Sequence, residues 1–233
     1  MQIFYAPDIR INPELPEEEA GHCVRVLRLS EGDEILVADG KGEFHQAVIR
    51  CAHPKHCEVE ILKSWSPAPL WPAYLHIAVA PTKNMDRMEW FAEKATEIGI
   101  DAITFLCCQF SERREIKTAR IEKILVSAMK QSQKARLPQL GEMTPFKTFV
   151  RQPFEGRKFI AHCEDGEKRS LKSLLGPGEN ALILIGPEGD FSPEEIQMAL
   201  DNGFEPISLG DSRLRTETAA LVACMTARLA NQA

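Results

Sequence analysis

Residues 182–191 read LILIGPEGDF, and residues 209–220 read LGDSRLRTETAA. The first is an apolar run, as a strand buried on both faces requires, and it stops at a glycine-containing turn. The second closes a strand at Gly210 and restarts as a helix. Strands that end in such turns place backbone N–H and C=O groups at the carboxyl edge of a sheet, where open α/β sheets bind ligands. Phosphate is the usual guest there, yet Glu188 and Asp190 would repel it. No Gly-Lys-Ser/Thr follows Gly186 or Gly189, and the three glycines of a dinucleotide turn are missing. A third turn of the same kind, AHCEDG, occupies 161–166.

The stretch SWSPAPLWPAY (64–74) carries Pro67, Pro69 and Pro72, which neither a helix nor a central strand accepts, so it reads as a linker. Before it, DEILVADGKGEFHQAVIRCA reads as strand, tight turn at residues 39–42, and strand, and HCEVEILKS as a further strand. A small β-barrel or sandwich over 1–68 is expected, interrupted by a helix from Glu17 to Leu27 with Ala20, Val24 and Leu27 on one face. After the linker, over 73–233, strands and helices alternate. NMDRMEWFAEKATEIG reads as a helix closed by Gly99, and a second helix is expected from Arg120 to Ala135. SPEEIQMALDNG opens with Ser192 as N-cap and Glu195 completing a capping box. The alternation predicts a mostly parallel sheet covered by helices.

With 233 residues the chain can form one large or two modest domains, each with a real core. No apolar run approaches the ~20 residues that span a bilayer, and MQIFYAPDIR lacks the pattern of a signal peptide. Seven scattered cysteines, Cys107 and Cys108 adjacent, read as reduced thiols of a cytoplasmic protein. The net charge of -6 argues against indiscriminate nucleic-acid binding, but it hides a basic segment. From Arg113 to Arg136 eight basic residues face only Glu115 and Glu122. That segment is either a solvated face or a surface that tracks phosphates.

Glu164, Glu188 and Asp190 suit a cationic ligand, and the exposed backbone groups of the three turns suit an adenine edge. A ligand that joins adenine, ribose hydroxyls and a positive centre without phosphate points to S-adenosylmethionine (SAM). The bland alternative is three ordinary strand-to-helix turns. Two longer sets of residues then carry a resemblance. LIGPEGDFSPEEI, NGF and ISLGDSRLRTETAAL, with MDRMEWFAEKATEIGI and AMKQSQKARLP, resemble the bacterial 16S rRNA (uridine-N3) methyltransferase family, the RsmE-like branch of the SPOUT superfamily. HCVRVLRLSEGDEILVADGKGEFHQAVI is similar to that family's PUA-like RNA-binding domain. The resemblance covers nearly the whole chain. It implies an α/β fold: a C-terminal SPOUT-type, trefoil-knotted, mostly parallel sheet with helices on both faces, which binds SAM and dimerises, plus a small N-terminal PUA-like β-barrel. It also implies methylation of uridine N3 in 16S ribosomal RNA, free or within the small ribosomal subunit, by a homodimer. The alternatives are another RNA or base position, or a ribosomal RNA-binding assembly factor without catalysis.

By matching motif, the resemblance assigns the cofactor to His162 and Cys163, to Ile185, Gly186, Glu188 and Gly189, and to Leu209, Gly210, Leu214 and Arg215. The family usually has Gly-Gly where this chain has Gly189-Asp190; aspartate tolerates a left-handed backbone better than most residues. In CCQFSERREIK, either Arg113 or Arg114 stands for an arginine that the family has after a serine. Methyl transfer to N3 requires loss of the N3 proton. Arg215 is expected to stabilise the ring anion. Glu217 is expected either to take the proton or to cap or salt-bridge in its helix. RNA contacts are expected at Arg25 and Arg28, at Arg113 and Arg114, and at Gln131, Lys134 and Arg136. CAHPKHC (51–57) gathers two cysteines and two histidines without the usual zinc spacing, so it reads as a hairpin turn and no metal is expected.

Overall fold

A computed structural model describes residues 2–232. The chain divides into two compact units, Met1–Pro69 with Val126–Leu137, and Leu70–Leu125 with Pro138–Ala233.

The first unit is a nearly closed, barrel-like sheet. Its strands are β1 (Ile3–Tyr5), β2 (Glu14–Leu15), β3 (Glu34–Ala38), β4 (Phe44–Cys51) and β5 (Cys57–Trp65), in the order β1-β3-β4-β5-β2. β3 and β4 form the expected hairpin, in register from Glu34 opposite Val48 to Ala38 opposite Phe44. Asp39 makes the turn: its Oδ1 accepts the backbone N–H groups of Lys41, Gly42 and Glu43 at 2.8, 3.0 and 2.9 Å. β4 is bulged against β5 at two places, and bulges bend a strand and sharpen its twist. Phe4, Ile9, Leu15, Cys23, Ile35, Val37, Ile49 and Val59 fill the interior.

The single helix expected over Glu17–Leu27 is corrected. α1 covers Glu17–Gly21, and the chain continues as a π-helical turn over His22–Val26. Leu27 N–H reaches back five residues to the His22 carbonyl, at 3.0 Å. The wider turn rotates the later side chains about the axis. Cys23 therefore enters the core, while Val24 is only half-buried and Val26 is 65% exposed. Arg28, in the left-handed region at φ 57°, follows the turn.

The second unit contains β6 (Leu75–Val79), α2 (Met85–Ile98), β7 (Ala102–Cys107), β8 (Gln139–Pro145), α4 (Phe146–Phe149), β9 (Arg157–Ala161), β10 (Arg169–Ser170), α5 (Leu171–Leu174), β11 (Ala181–Ile185), α6 (Pro193–Asp201), β12 (Glu205–Ser208) and α7 (Thr216–Ala230). α3 (Thr118–Gln131) lies between β7 and β8, and its residues from Val126 on belong to the first unit. The expected extension of α3 to Ala135 fails because Gln133 adopts φ 55°.

The seven strands are ordered β10-β12-β9-β11-β6-β7-β8, and every pairing is parallel. All five residues of β11 are buried although successive side chains point to opposite faces, so both faces are covered. On one face Leu182 and Leu184 pack with Phe146 and Phe149 of α4 and Ile196 and Ala199 of α6. Asn84 caps α2, Gly99 closes it at φ 108°, and Ser192 with Glu195 forms the expected capping box on α6.

Arg228 of α7 is 1% exposed. Its guanidinium donates to the Ala73 carbonyl at 2.9 Å, to the Gly99 carbonyl, and to Asp101 Oδ2 at 2.5 Å. Asp101 Oδ2 also accepts Leu75 N–H at 2.8 Å, so one ion pair joins the end of α7 to the starts of β6 and β7.

Candidate functional site

Because the sheet is parallel and β9 lies between β12 and β11, the turns after these three strands meet along one carboxyl edge. Two adjoining cavities open there. One, of about 470 Å³, lies between His162–Cys163 and Ser208–Leu214. The other, of about 400 Å³, lies between Cys163, the turn Gly186–Asp190 and residues 213–216. Ala161, Cys163, Arg213, Leu214 and Ala219 line both. Together they have the size of a small-molecule site.

All ten residues assigned to a cofactor line one cavity or the other. His162, Leu209 and Gly210 face the first; Ile185, Gly186, Glu188, Gly189 and Arg215 the second; Cys163 and Leu214 both. His162 Nδ1 is buried without a hydrogen-bond partner. Burial, reinforced by the Lys168 ammonium, lowers the His162 pKa from the ordinary imidazole value, so the ring presents a neutral face. Cys163 has its thiol pKa raised, by burial first and by Asp190 second.

Asp190 holds the two central turns together. Its backbone is left-handed, at φ 66°. Its Oδ2 accepts Cys163 N–H at 2.6 Å, and Oδ1 accepts Phe191 N–H at 2.8 Å. The motif comparison marked the position as a departure; nothing local in the sequence places its carboxylate on a turn 27 residues earlier. Glu188 is similarly engaged, with Oε1 accepting Lys83 N–H at 3.0 Å. Gly189 packs so tightly on Phe110 that a Cβ there would stand 3.3 Å from the phenylalanine Cβ.

The two residues expected to act chemically separate. Arg215 precedes α7, is exposed, and lines the second cavity. Glu217 is buried and does not line it: Oε1 stands 3.7 Å from Arg87 Nε and Oε2 has no hydrogen-bond partner. Arg87 does line the cavity. It flanks the apolar stripe of α2 one turn before Phe91, and that position does not separate it from any solvated arginine.

The residues expected to touch RNA divide between the units. Arg113 donates to the Lys83 carbonyl at 2.7 Å and Arg114 to the Gln109 carbonyl at 3.4 Å. Both belong to the irregular segment 108–117, which also leaves Phe110 47% exposed. That segment is fixed in place: Glu195 Oε1 accepts Gln109 N–H at 2.8 Å, and Ser111 Oγ accepts Cys108 N–H at 3.0 Å. In the first unit Arg25, Arg28, Gln131 and Arg136 are exposed and Lys134 is half-buried. Part of the basic segment is neutralised, Lys130 by Glu19 at 2.5 Å and Arg120 by Glu89 at 2.6 Å. CAHPKHC is the connection between β4 and β5, with His53 and His56 stacked at 5.6 Å.

A parallel α/β unit with a two-lobed cleft at its carboxyl edge, in one chain with a barrel-like unit carrying exposed arginines, defines a modular ligand-binding α/β protein. Comparison with known proteins narrows this further. A family described as the RNA methyltransferase domain matches residues 69–228, and one described as the RNA methyltransferase PUA domain matches 15–62. The chain belongs to the RNA methyltransferase family. It is similar to Ribosomal RNA small subunit methyltransferase E of Mycobacterium bovis, 28% identical over 95% of this chain and 88% of the relative. Among solved structures it is similar to a "probable rRNA-methyltransferase from Porphyromonas gingivalis", at 46% identity and TM-score 0.91, covering 96% of this chain and 95% of that one. It is also similar to Ribosomal RNA small subunit methyltransferase E from Neisseria gonorrhoeae bound to S-adenosyl methionine, at 28% identity and TM-score 0.84, covering 96% and 95%. No described helix is long and apolar enough to cross a membrane.

Proposed function

We propose that the chain is a SAM-dependent methyltransferase acting on the N3 position of a uridine in 16S ribosomal RNA. The observation that carries this is the convergence of ten residues, drawn from three separate turns, on one two-lobed cleft. The cleft fits the cofactor chemically. Backbone groups of 185–189 and 209–210 form its rims, an unpartnered imidazole nitrogen lies at one lobe, and Glu188 is at the other, where a cationic centre gains from it. When bound, SAM supplies a methyl group on a positively charged sulfur.

The chain's own part is positioning and charge. N3 would take up the methyl group that bound SAM supplies, its sulfur leaving as a neutral thioether, and the N3 proton would pass to water at the open mouth. Holding the two reactants in line supplies a large share of the barrier reduction. Arg215, exposed at the rim, stabilises the negative charge that grows on the uracil oxygens. Glu217 serves by orienting Arg87 toward the same cavity, because its carboxylate faces that guanidinium rather than the cleft. Phe110, exposed beside Gly189, offers a face on which a splayed base can stack.

In this reading residues 1–68 are the PUA-like RNA-binding domain and 73–233 the methyltransferase domain. Arg25, Arg28, Arg113, Arg114, Gln131, Lys134 and Arg136 meet RNA phosphates. The catalytic domain is trefoil-knotted, and the protein is a cytoplasmic homodimer acting on the small ribosomal subunit or its RNA. Residues 213–216 line the same cavity as the turns after β9 and β11, with Thr216 Oγ1 donating to the Gly186 carbonyl at 3.1 Å. Calorimetric titration with SAM, beside ATP and NAD, tests the cofactor. Micromolar SAM binding without the other two is expected. RNA binding without SAM binding would leave an assembly factor instead.

A further inference from the structure

Away from the cleft, the β3–β4 turn of the first unit gathers three ligand-type side chains. Asp39, Glu43 and His45 bring one ligand atom each within 4.8 Å of one another. The His45 side chain is wholly buried, with Nδ1 at 2.8 Å from Ser64 Oγ. Its Nε2 is also buried and makes no hydrogen bond; Asp39 Oδ2 stands 3.9 Å away, too far for one. A ring that donates from Nδ1 to Ser64 presents its Nε2 lone pair to the carboxylates. Buried polar atoms without a partner are rare, and an ion site is one of the few arrangements that accounts for them. Asp39 is fixed at one oxygen, where Oδ1 is engaged by three backbone amides, and its Oδ2 stands 3.9 Å from the imidazole Nε2. Glu43 is one-third exposed and ion-paired to Arg10 at 2.8 Å, so it provides the open side of the group.

We propose that Asp39, Glu43 and His45 bind a divalent transition-metal ion, Zn²⁺ by preference, with Glu43 exchanging its Arg10 partner for the metal. One imidazole with two carboxylates is a zinc-type donor set, taken at about 2.0–2.2 Å, and tetrahedral coordination leaves the fourth position to water. Mg²⁺ and Ca²⁺ favour shells made of oxygen alone. Glu43, one-third exposed, is the member of the group free to turn toward an ion.

The site has a structural consequence inside the same unit. The Gly40 carbonyl accepts Leu137 N–H at 2.9 Å, and Gly42 N–H donates to the Ala135 carbonyl at 3.2 Å. Arg136 bridges to both Gly40 and Lys41. The turn is therefore the seat of the segment that ends the basic run, and a metal that closes the turn stiffens that seat.

The test is calorimetric titration of the full chain with Zn²⁺ after dialysis against a chelator. Three variants accompany it: His45→Gln, Glu43→Gln, and a double His53→Ala, His56→Ala control that removes the surface imidazoles of the β4–β5 connection. One Zn²⁺ per chain is expected. Affinity should fall about tenfold or more in His45→Gln and in Glu43→Gln, and should be retained in the control. Glu43 lies outside the core, so its variant reports on binding even if the histidine variant folds poorly. Failure of the wild-type chain to take up one equivalent, or uptake unchanged in either single variant, overturns the proposal.

Discussion

The bridge from Asp190 to the turn after β9 gives the sharpest expectation about the cleft. Asp190→Gly keeps the left-handed backbone free of strain but removes both acceptors, those of Cys163 N–H and Phe191 N–H. Hydrogen bonds to a charged acceptor contribute about 1.5–3 kcal/mol each; Asp190 is half-buried, so the lower end applies and the pair is worth about 3 kcal/mol. At about 1.4 kcal/mol per tenfold, disordering the two turns lowers SAM affinity on the order of a hundredfold. Asp190→Asn keeps one oxygen and tolerates the backbone, so about a tenfold loss is expected. Asp190→Ala adds about 1–2 kcal/mol of left-handed strain to the full loss and is the worst of the three. Calorimetry with SAM, with a melting curve for each variant, checks the order Asn, Gly, Ala. If Asp190→Gly bound SAM as tightly as the wild type, the bridge would have no role in ordering the cleft.

Four further outcomes are expected. Arg215→Ala keeps SAM binding while its methylation rate falls about a hundredfold or more, checked by pairing calorimetry with a methyl-transfer assay; full activity would remove Arg215 from the chemistry. Arg228→Met leaves Asp101 without its partner inside the fold, and denaturant unfolding should show a loss of about 3–5 kcal/mol. His76 has its pKa lowered by burial to about 4. Below its ordinary value of 6.5 the unfolded chain takes up a proton that the folded chain refuses until about pH 4, so stability falls as pH drops through that window, by about 3 kcal/mol in all. His76→Phe should flatten that limb of the stability–pH profile. RNA affinity should fall steeply with salt, and Arg25→Ala with Arg136→Ala should reduce the slope of that dependence; a salt-insensitive affinity would contradict phosphate contact.

Much of the catalytic half is legible because its signals are local. The apolar run of β11, the Ser192–Glu195 box on α6 and Gly99 at the end of α2 each declare themselves within a few residues. β8 is harder: QLGEMTP carries a glycine and a proline, has no buried run, and exists as a strand because β7 pairs with it along one edge. The break from α1 into a π-helical turn depends on which side chain the barrel interior accepts, so periodicity alone reads straight through it. In the site, the motif residues sit on strand-end turns and can be located by pattern. Asp190 on Cys163, Arg87 on Glu217 and Arg228 on Asp101 are long-range pairings of ordinary residue types. Strand order makes these pairs neighbours, and strand order is not encoded in any short window.

The reaction itself is tested most directly by incubating the purified protein with deuterated-methyl SAM and unmodified small ribosomal subunits, or their 16S RNA, and analysing the digested nucleosides by mass spectrometry. One labelled 3-methyluridine per RNA is expected, absent with Arg215→Ala. Label on another base or on ribose would contradict the N3 assignment, and absence of label from both substrates would contradict catalysis.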